Sequence, residues 1–284
     1  MDLEKELNLL IERAIAEDIG LGDITSQICL PESRQTTGVF LLKQSATLAG
    51  LPLLPRLFNI IDPQVEVTLA VEEGSYQKAG TLIAKISGPA RSILAGERIA
   101  LNLIQHTSGV ATITSEYVKK VIGLKCDILD TRKTLPSLRA LEKYAVAVGG
   151  GKNHRNGLDD CFLIKSSHLA FLTGCERHPL AEAMEKIKLA ETGMPVEIQI
   201  DNPAYIEEAL KYDFRTIMLR NMTIDEIEHS VAAVRKVNKR VYLAFSGNVS
   251  LETVRPLAES GINGISVAAL THSVNGIDIG MRLK

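Results

Sequence analysis

Five cationic side chains stand at Arg132, Lys133, His154, Arg155 and Lys165. Neighbouring like charges are unfavourable unless an anion lies among them. Arg presents a planar fork to carboxylate or phosphate, and Lys adds a compact point charge. The set therefore points to a small polyanion bearing several carboxylates or phosphates. Thr131 precedes the first pair, and Gly149-Gly150-Gly151 leads into the second. Ser246-Gly247-Asn248 reads as a phosphate-facing turn, because Gly lets backbone N–H groups approach oxygens. Glu197, Gln199 and Asp201 share one face of an extended segment by the period of two.

These residues are positioned by a regular rhythm that begins after Cys126. Apolar strand candidates are 126–129, 161–164, 196–200, 216–219, 241–245 and 264–267, with helical patterns at 203–212, 223–236 and 250–259 between them. Strand–helix alternation implies parallel strands, and six such units suggest a closed or nearly closed β/α barrel. An open doubly wound sheet is the alternative, although no GxGxxG follows the first strand. In a barrel the site lies at the C-terminal ends of the strands. Those ends carry Thr131-Arg132-Lys133, Lys165, Asp201, Arg220, Ser246-Gly247-Asn248, and Ala268 leading to His272.

The preceding region differs. Residues 1–18 carry one apolar stripe of helical period, stopped by Gly20-Leu21-Gly22-Asp23. Residues 37–87 alternate in short runs punctuated by Gly and Pro, a small β-rich layer that includes one helix at 53–61. Residues 91–122 read as a long, largely buried helix broken near Gly109. This divides the chain into an N-terminal α+β domain with the central helix, 1–112, and an α/β barrel domain, 113–284. The C-terminal segment is allowed to pack back on the first domain.

Composition narrows the function. The chain has 284 residues, 32 Lys and Arg against 34 Asp and Glu, no Trp, and 4% aromatics. A near-neutral charge and few aromatics argue against nucleic-acid binding. No apolar run is long enough for a membrane span, and the acidic N-terminus lacks the features of a signal peptide. Cys29, Cys126, Cys161 and Cys175 lie far apart without CxxC spacing. That spacing fits reduced thiols in a cytoplasmic protein without a zinc site.

At these residues the chain resembles nicotinate-nucleotide pyrophosphorylase (carboxylating), also called quinolinate phosphoribosyltransferase. The resemblance is carried by Glu17-Asp18-Ile19-Gly20-Leu21-Gly22-Asp23-Ile24-Thr25-Ser26, by Gly96 to Asn102 with Ser108 to Thr112, and by Leu129 to Pro136. It continues through Glu142 to Val146, Gly149 to Arg155, and Leu163-Ile164-Lys165.

The resemblance implies an open parallel β/α barrel with a β-sandwich-like N-terminal domain, in a homodimer or higher homo-oligomer with shared active sites. It implies a glycosyltransferase of the pentosyltransferase class acting in NAD biosynthesis. Quinolinate and phosphoribosyl pyrophosphate, with Mg²⁺, give nicotinate mononucleotide, pyrophosphate and carbon dioxide. It places Arg98 in the partner's site. It gives Arg132, His154, Arg155 and Lys165 to the quinolinate carboxylates, and Lys133 to substrate or phosphate. It places Ser246, Gly247, Asn248 and His272 on the phosphate side. Lys133, Lys165 and Glu197 are the catalytic candidates. Thr131, Gln199, Arg220 and Ala268 complete the substrate-binding set, and no protein metal ligand is assigned.

The chain departs from the family pattern at several positions. Gln199 and Ala244 stand where Glu is usual, Arg220 where Asp is usual, Ser166 and Ser167 where an acidic residue and Asn are usual, and Ala268 where Gly is usual. The alternative reading is a catalytically impaired relative that keeps the anion pocket for binding. A related phosphoribosyltransferase for another aromatic acid is a third reading.

Overall fold

A computed structural model describes residues 2–172 and 178–284; Cys175 lies outside the described residues. The strands are β1 (Gln35–Leu42), β2 (Ala46–Thr47), β3 (Glu66–Leu69), β4 (Tyr76–Gln77), β5 (Leu82–Pro89), β6 (Asp127–Leu129), β7 (Phe162–Ile164), β8 (Val196–Ile200), β9 (Thr216–Arg220), β10 (Tyr242–Ser246), β11 (Gly264–Ser266) and β12 (Ile279–Leu283). The chain forms two compact units. One comprises Met1–Ser115, Lys133–Gly151 and Ala269–Lys284, and the other Glu116–Arg132 and Lys152–Ala268.

The first unit is built on an antiparallel sheet of order β12-β1-β5-β3, with β2 and β4 pairing apart from it. The helix Leu3–Asp18 starts where the Asp2 carboxylate accepts the Lys5 N–H, and it buries Leu7 and Ile11. The helix Leu53–Ile61 buries Leu53, Leu54, Leu57 and Phe58 in the same core as Phe40, Ile83 and Ile279. The C-terminal strand β12 returns to pair with β1 from Gly38 to Leu42. That pairing is invisible to local pattern, because nothing within ten residues of either strand announces it.

The expected break in the long helix is corrected. The helix Ala90–Lys120 runs unbroken through Gly109. Gly109 does not interrupt the helix. It lets residues 274 and 275 approach: a Cβ there would lie 2.7 Å from Val274 Cγ1 and would overlap the Asn275 carbonyl. The glycine is a packing device, and helix propensity alone cannot separate that use from a break. Among the described residues no helix is long and apolar enough to cross a membrane.

The second unit is an all-parallel sheet of order β6-β11-β10-β9-β8-β7. This order is the chain order bent into a ring, with β6 and β7 as the two ends. All six strands predicted by period are present within a residue or two. The helix Ile224–Val237 begins with a reciprocal cap: Thr223 Oγ1 accepts from Glu226 N–H, and the Glu226 carboxylate accepts from Thr223 N–H. The helical reading of 250–259 shortens to Val254–Glu259, because Ser250 and Thr253 bond each other in a turn instead.

Candidate active site

Register shows what the sheet points inward. Leu129, Met218 and Ala244 form one buried cluster with Tyr242 against it, which identifies the interior face. Three rows follow from the pairings. The first holds Leu163, Glu197, Thr216 and Tyr242; the second holds Gln199, Met218, Ala244, Gly264 and Asp127; the third holds Arg220, Ser246, Ser266 and Leu129. Parallel strands covered on both faces are expected to be apolar throughout. The polar members of these rows are therefore the residues that folding alone does not explain.

The seam between β6 and β7 is bridged by the segment that follows the three glycines. Lys152 N–H donates to Ile128 O at 2.8 Å and Asp130 N–H to Lys152 O at 3.1 Å, so residue 152 lies beside β6. His154 N–H donates to the buried Asp130 carboxylate at 2.8 Å. Its ring crosses toward β8, where Nε2 lies 2.7 Å from Glu197 Oε2. A carboxylate only accepts, so Nε2 carries the proton. Arg155 then donates through Nη1 to Cys161 O, 3.2 Å away, just before β7. Both cations of this segment are thus held by backbone and carboxylate rather than left to wave in solvent.

Glu197 is fully buried and its oxygens are engaged. Oε1 accepts from Thr216 Oγ1 at 3.1 Å and faces Arg215 Nη2 at 3.4 Å. Burial by itself raises this carboxyl's pKa. The His154 hydrogen bond, the His154 and Arg215 charges and the Thr216 hydroxyl outweigh burial and hold it below the ordinary range. The result is an anchored anion that fixes the His154 ring.

The strand ends bring Thr131, Arg132, Lys165, Gln199, Arg220, Ser246, Gly247, Asn248 and Ala268 into the same unit as His154, Arg155 and Glu197. Lys165 follows β7 on the inward side by alternation, and its N–H donates to His168 Nδ1 at 3.1 Å. Asn221 turns the chain with a φ of 53° directly after Arg220, and its N–H donates to Ser246 O at 3.0 Å. At Gly247 a Cβ would lie 2.7 Å from Phe245 Cζ, so a side chain has no room at that turn.

Lys133, His272 and Arg98 belong to the first unit. There the Lys133 carbonyl accepts from Thr271 Oγ1 at 2.7 Å. The loop beyond it is pinned by Glu142, which accepts Leu135 N–H at 3.1 Å and lies 3.0 Å from His106 Nε2. His272 Nδ1 lies 2.6 Å from Ser273 Oγ, and Arg98 is exposed on the long helix.

Sequence reasoning read Asp130 off the end of the first strand without giving it a role, and it passed over Thr216, Tyr242 with Asp127, and Ser266. Tyr242 Oη donates to Asp127 Oδ2 at 2.9 Å and to Asn263 O at 2.8 Å. The available signal was their position: each is a polar residue in an otherwise apolar strand or directly after one.

The interior acids do not form a metal cage. Among the described residues no group of three or more His, Cys, Asp and Glu side chains is placed to hold a metal ion. Glu197 is committed to His154, Arg215 and Thr216, and Asp127 to Tyr242 and Lys152. Mg²⁺ is commonly held by one or two carboxylates together with phosphate oxygens. The donor set at the third row does not fit a protein-held Mg²⁺.

A parallel β/α sheet with cationic side chains at its strand ends, in a chain that also has an antiparallel unit, is the α/β architecture that carries this site. The comparisons are more specific. The N-terminal domain of quinolinate phosphoribosyl transferase matches residues 23–108, and its C-terminal domain matches residues 110–282. The chain is 37% identical over 277 residues to a probable nicotinate-nucleotide pyrophosphorylase (carboxylating) of Bacillus subtilis, covering 97% of this chain and 93% of that protein. It is 36% identical to quinolinate phosphoribosyltransferase (decarboxylating) 1b of Nicotiana tabacum, covering 98% and 82%. The crystal structure of NadC from Streptococcus pyogenes superposes with a TM-score of 0.90 at 32% identity, covering 98% and 96%. The chain belongs to the quinolinate phosphoribosyltransferase family.

Proposed function

We propose that this protein is a quinolinate phosphoribosyltransferase (decarboxylating) of NAD biosynthesis, a transferase that works in the cytoplasm as a homodimer or higher homo-oligomer. The observation that carries the reading is that Arg132, His154, Arg155 and Lys165 fall in one unit of a chain of this family, with His154 and Arg155 held in place. A ring dicarboxylate beside a phosphorylated sugar is the ligand pair that such a set suits.

In this reading Arg132, Arg155 and Lys165 bind the quinolinate carboxylates and orient the ring. Glu197 acts as a positioning residue, keeping His154 protonated at Nε2 and aimed by its own backbone bond to Asp130. The ring nitrogen attacks C1 of phosphoribosyl pyrophosphate, and the C1–oxygen bond breaks with its electron pair leaving on pyrophosphate. The carboxylate beside the ring nitrogen then departs as carbon dioxide. Its electron pair stays on the ring carbon, which takes a proton from water, leaving nicotinate mononucleotide. Fixed cations stabilise each developing negative charge, and no covalent nucleophile is needed. Ser246, Gly247 and Asn248 are assigned to the phosphate. Lys133, Arg98 and His272 enter through the family resemblance alone, as does Mg²⁺ as a companion of the pyrophosphate.

The test is an assay for nicotinate mononucleotide from quinolinate and phosphoribosyl pyrophosphate, run with and without Mg²⁺. Product with stoichiometric carbon dioxide is expected. No product at high enzyme concentration, with quinolinate still bound in calorimetry, overturns the catalytic reading and leaves an anion-binding relative. For shared sites, Arg98→Ala mixed with Lys165→Ala is expected to recover activity that neither variant has alone. No recovery counts against them.

A further inference from the structure

The third interior row poses a charge problem that the proposed reaction does not solve. Its members are Arg220, Ser246, Ser266 and Leu129, with no carboxylate among them. The second row beneath offers Gln199, Met218, Ala244 and Gly264, and its one carboxylate, Asp127, is committed to Tyr242 and Lys152. Arg220 is exposed, and among the described residues its guanidinium has no hydrogen bond or ion pair. Ser266 is buried, and its Oγ has no hydrogen-bond partner. A buried hydroxyl left unpaired is costly, and a ligand oxygen is one way to satisfy it.

The backbone around Arg220 is locked. Asn221 N–H bonds Ser246 O across the two strand ends, and the absent side chain at Gly247 leaves that turn close to Asn221. Arg220 is therefore carried on a fixed base next to the Ser246 hydroxyl. A guanidinium is always charged and grips two phosphate oxygens at once. A divalent cation placed beside it meets like-charge repulsion. Asp201, exposed beyond β8, is a single carboxylate against that charge.

We propose that Arg220, with the Ser246 and Ser266 hydroxyls, binds the phosphate groups of the sugar substrate directly, so that this site takes phosphoribosyl pyrophosphate without a divalent cation. The inference rests on the functional reading above. It changes the charge partner of the pyrophosphate from a metal ion to a side chain.

Isothermal titration of the full chain tests it, with quinolinate and phosphoribosyl pyrophosphate as separate ligands, in EDTA and in Mg²⁺. Phosphoribosyl pyrophosphate is expected to bind in EDTA within about threefold of its Kd in Mg²⁺. Arg220→Ala should weaken binding in EDTA by roughly 10- to 100-fold, the worth of one charge-assisted bidentate contact. Arg220→Asp should make binding depend on Mg²⁺. Ser266→Ala should weaken binding while leaving the unfolding midpoint of the unliganded chain unchanged or raised, because the hydroxyl it removes is unpaired, whereas loss of a structural hydroxyl would lower the midpoint. Quinolinate binding is the control for the wider reading. If quinolinate binds but phosphoribosyl pyrophosphate requires Mg²⁺ in the unaltered chain, the inference fails and the function stands. The same holds if Arg220→Ala binds as well as the parent in EDTA. If neither ligand binds, the functional reading itself fails.

Discussion

Glu197 shows how one buried carboxylate organises several cations. It has no access to water, yet it remains charged below the ordinary carboxylate value of 4.5 because His154, Arg215 and Thr216 surround it. The unfolded chain takes up a proton near 4.5 while the folded chain does not. The unfolded state then binds more protons, so this contribution to stability is present above 4.5 and lost as pH falls through the lower folded value. Urea titrations at pH 7, 5 and 4 should show Glu197→Gln with a flatter acid limb than the parent, alongside weaker quinolinate binding from a loosened His154. Identical acid limbs would mean that the pair carries no coupling. The capping carboxylates Asp23 and Glu226, also lowered by their hydrogen bonds, should keep part of the slope in both proteins. The residue types here were legible in the sequence: Arg132, His154, Arg155 and Lys165 stand in one short stretch. Glu197 was legible as well, but its pairing with His154, and the parts played by Asp130 and Thr216, were not, because strand register sets them.

At the scale of elements, the strands after Cys126 were readable because each is a short apolar run between helical patterns. What periodicity could not say was how tightly neighbouring strands fit. Gly264 lies under the Tyr242 side chain: a Cβ there would overlap Oη and stand 3.0 Å from Cε1 and Cζ. Tyr242 cannot slide away without losing Asp127 and Asn263. Gly264→Ala should therefore destabilise the protein by about 1–3 kcal/mol through overpacking. Tyr242→Phe in the same background should recover part of it, since the hydroxyl is the atom that the new Cβ overlaps most, while the lost Asp127 and Asn263 bonds keep the recovery incomplete. An unchanged denaturation midpoint for Gly264→Ala would show that the ring moves freely. Gly109 makes the same point from the other side. A residue that reads as a helix break is, in the folded chain, a contact surface.

At the scale of the whole molecule, the two units draw on scattered segments of chain. The first takes its last strand from residues 279–283, more than 230 positions beyond β1. Removing residues 279–284 should lower the urea midpoint and expose the β1 edge, because the pairing from Gly38 to Leu42 and the buried Ile279 are lost together. Light scattering on the truncated chain should detect association through that edge. A truncated chain with an unchanged midpoint would show that β12 is dispensable. The thiols also read at this scale. Burial and Asp127 push Cys126 up to about 12, burial chiefly raises Cys161, and Cys29 is exposed. Among the described cysteines, alkylation of the native protein should reach Cys29 first.

The amino-acid order alone specified the strand–helix alternation, the cationic stretch from Arg132 to Lys165 and the motifs of the family, because periodicity and short spacing are local properties. Tertiary structure decided which polar residues share a row, and that depends on register between strands separated by tens of residues. Only in that register does Arg220 come to stand beside Ser246 and Ser266, with the acids of the neighbouring rows already engaged. The near-neutral total charge had hidden that arrangement, since a sum over 284 residues carries no positions.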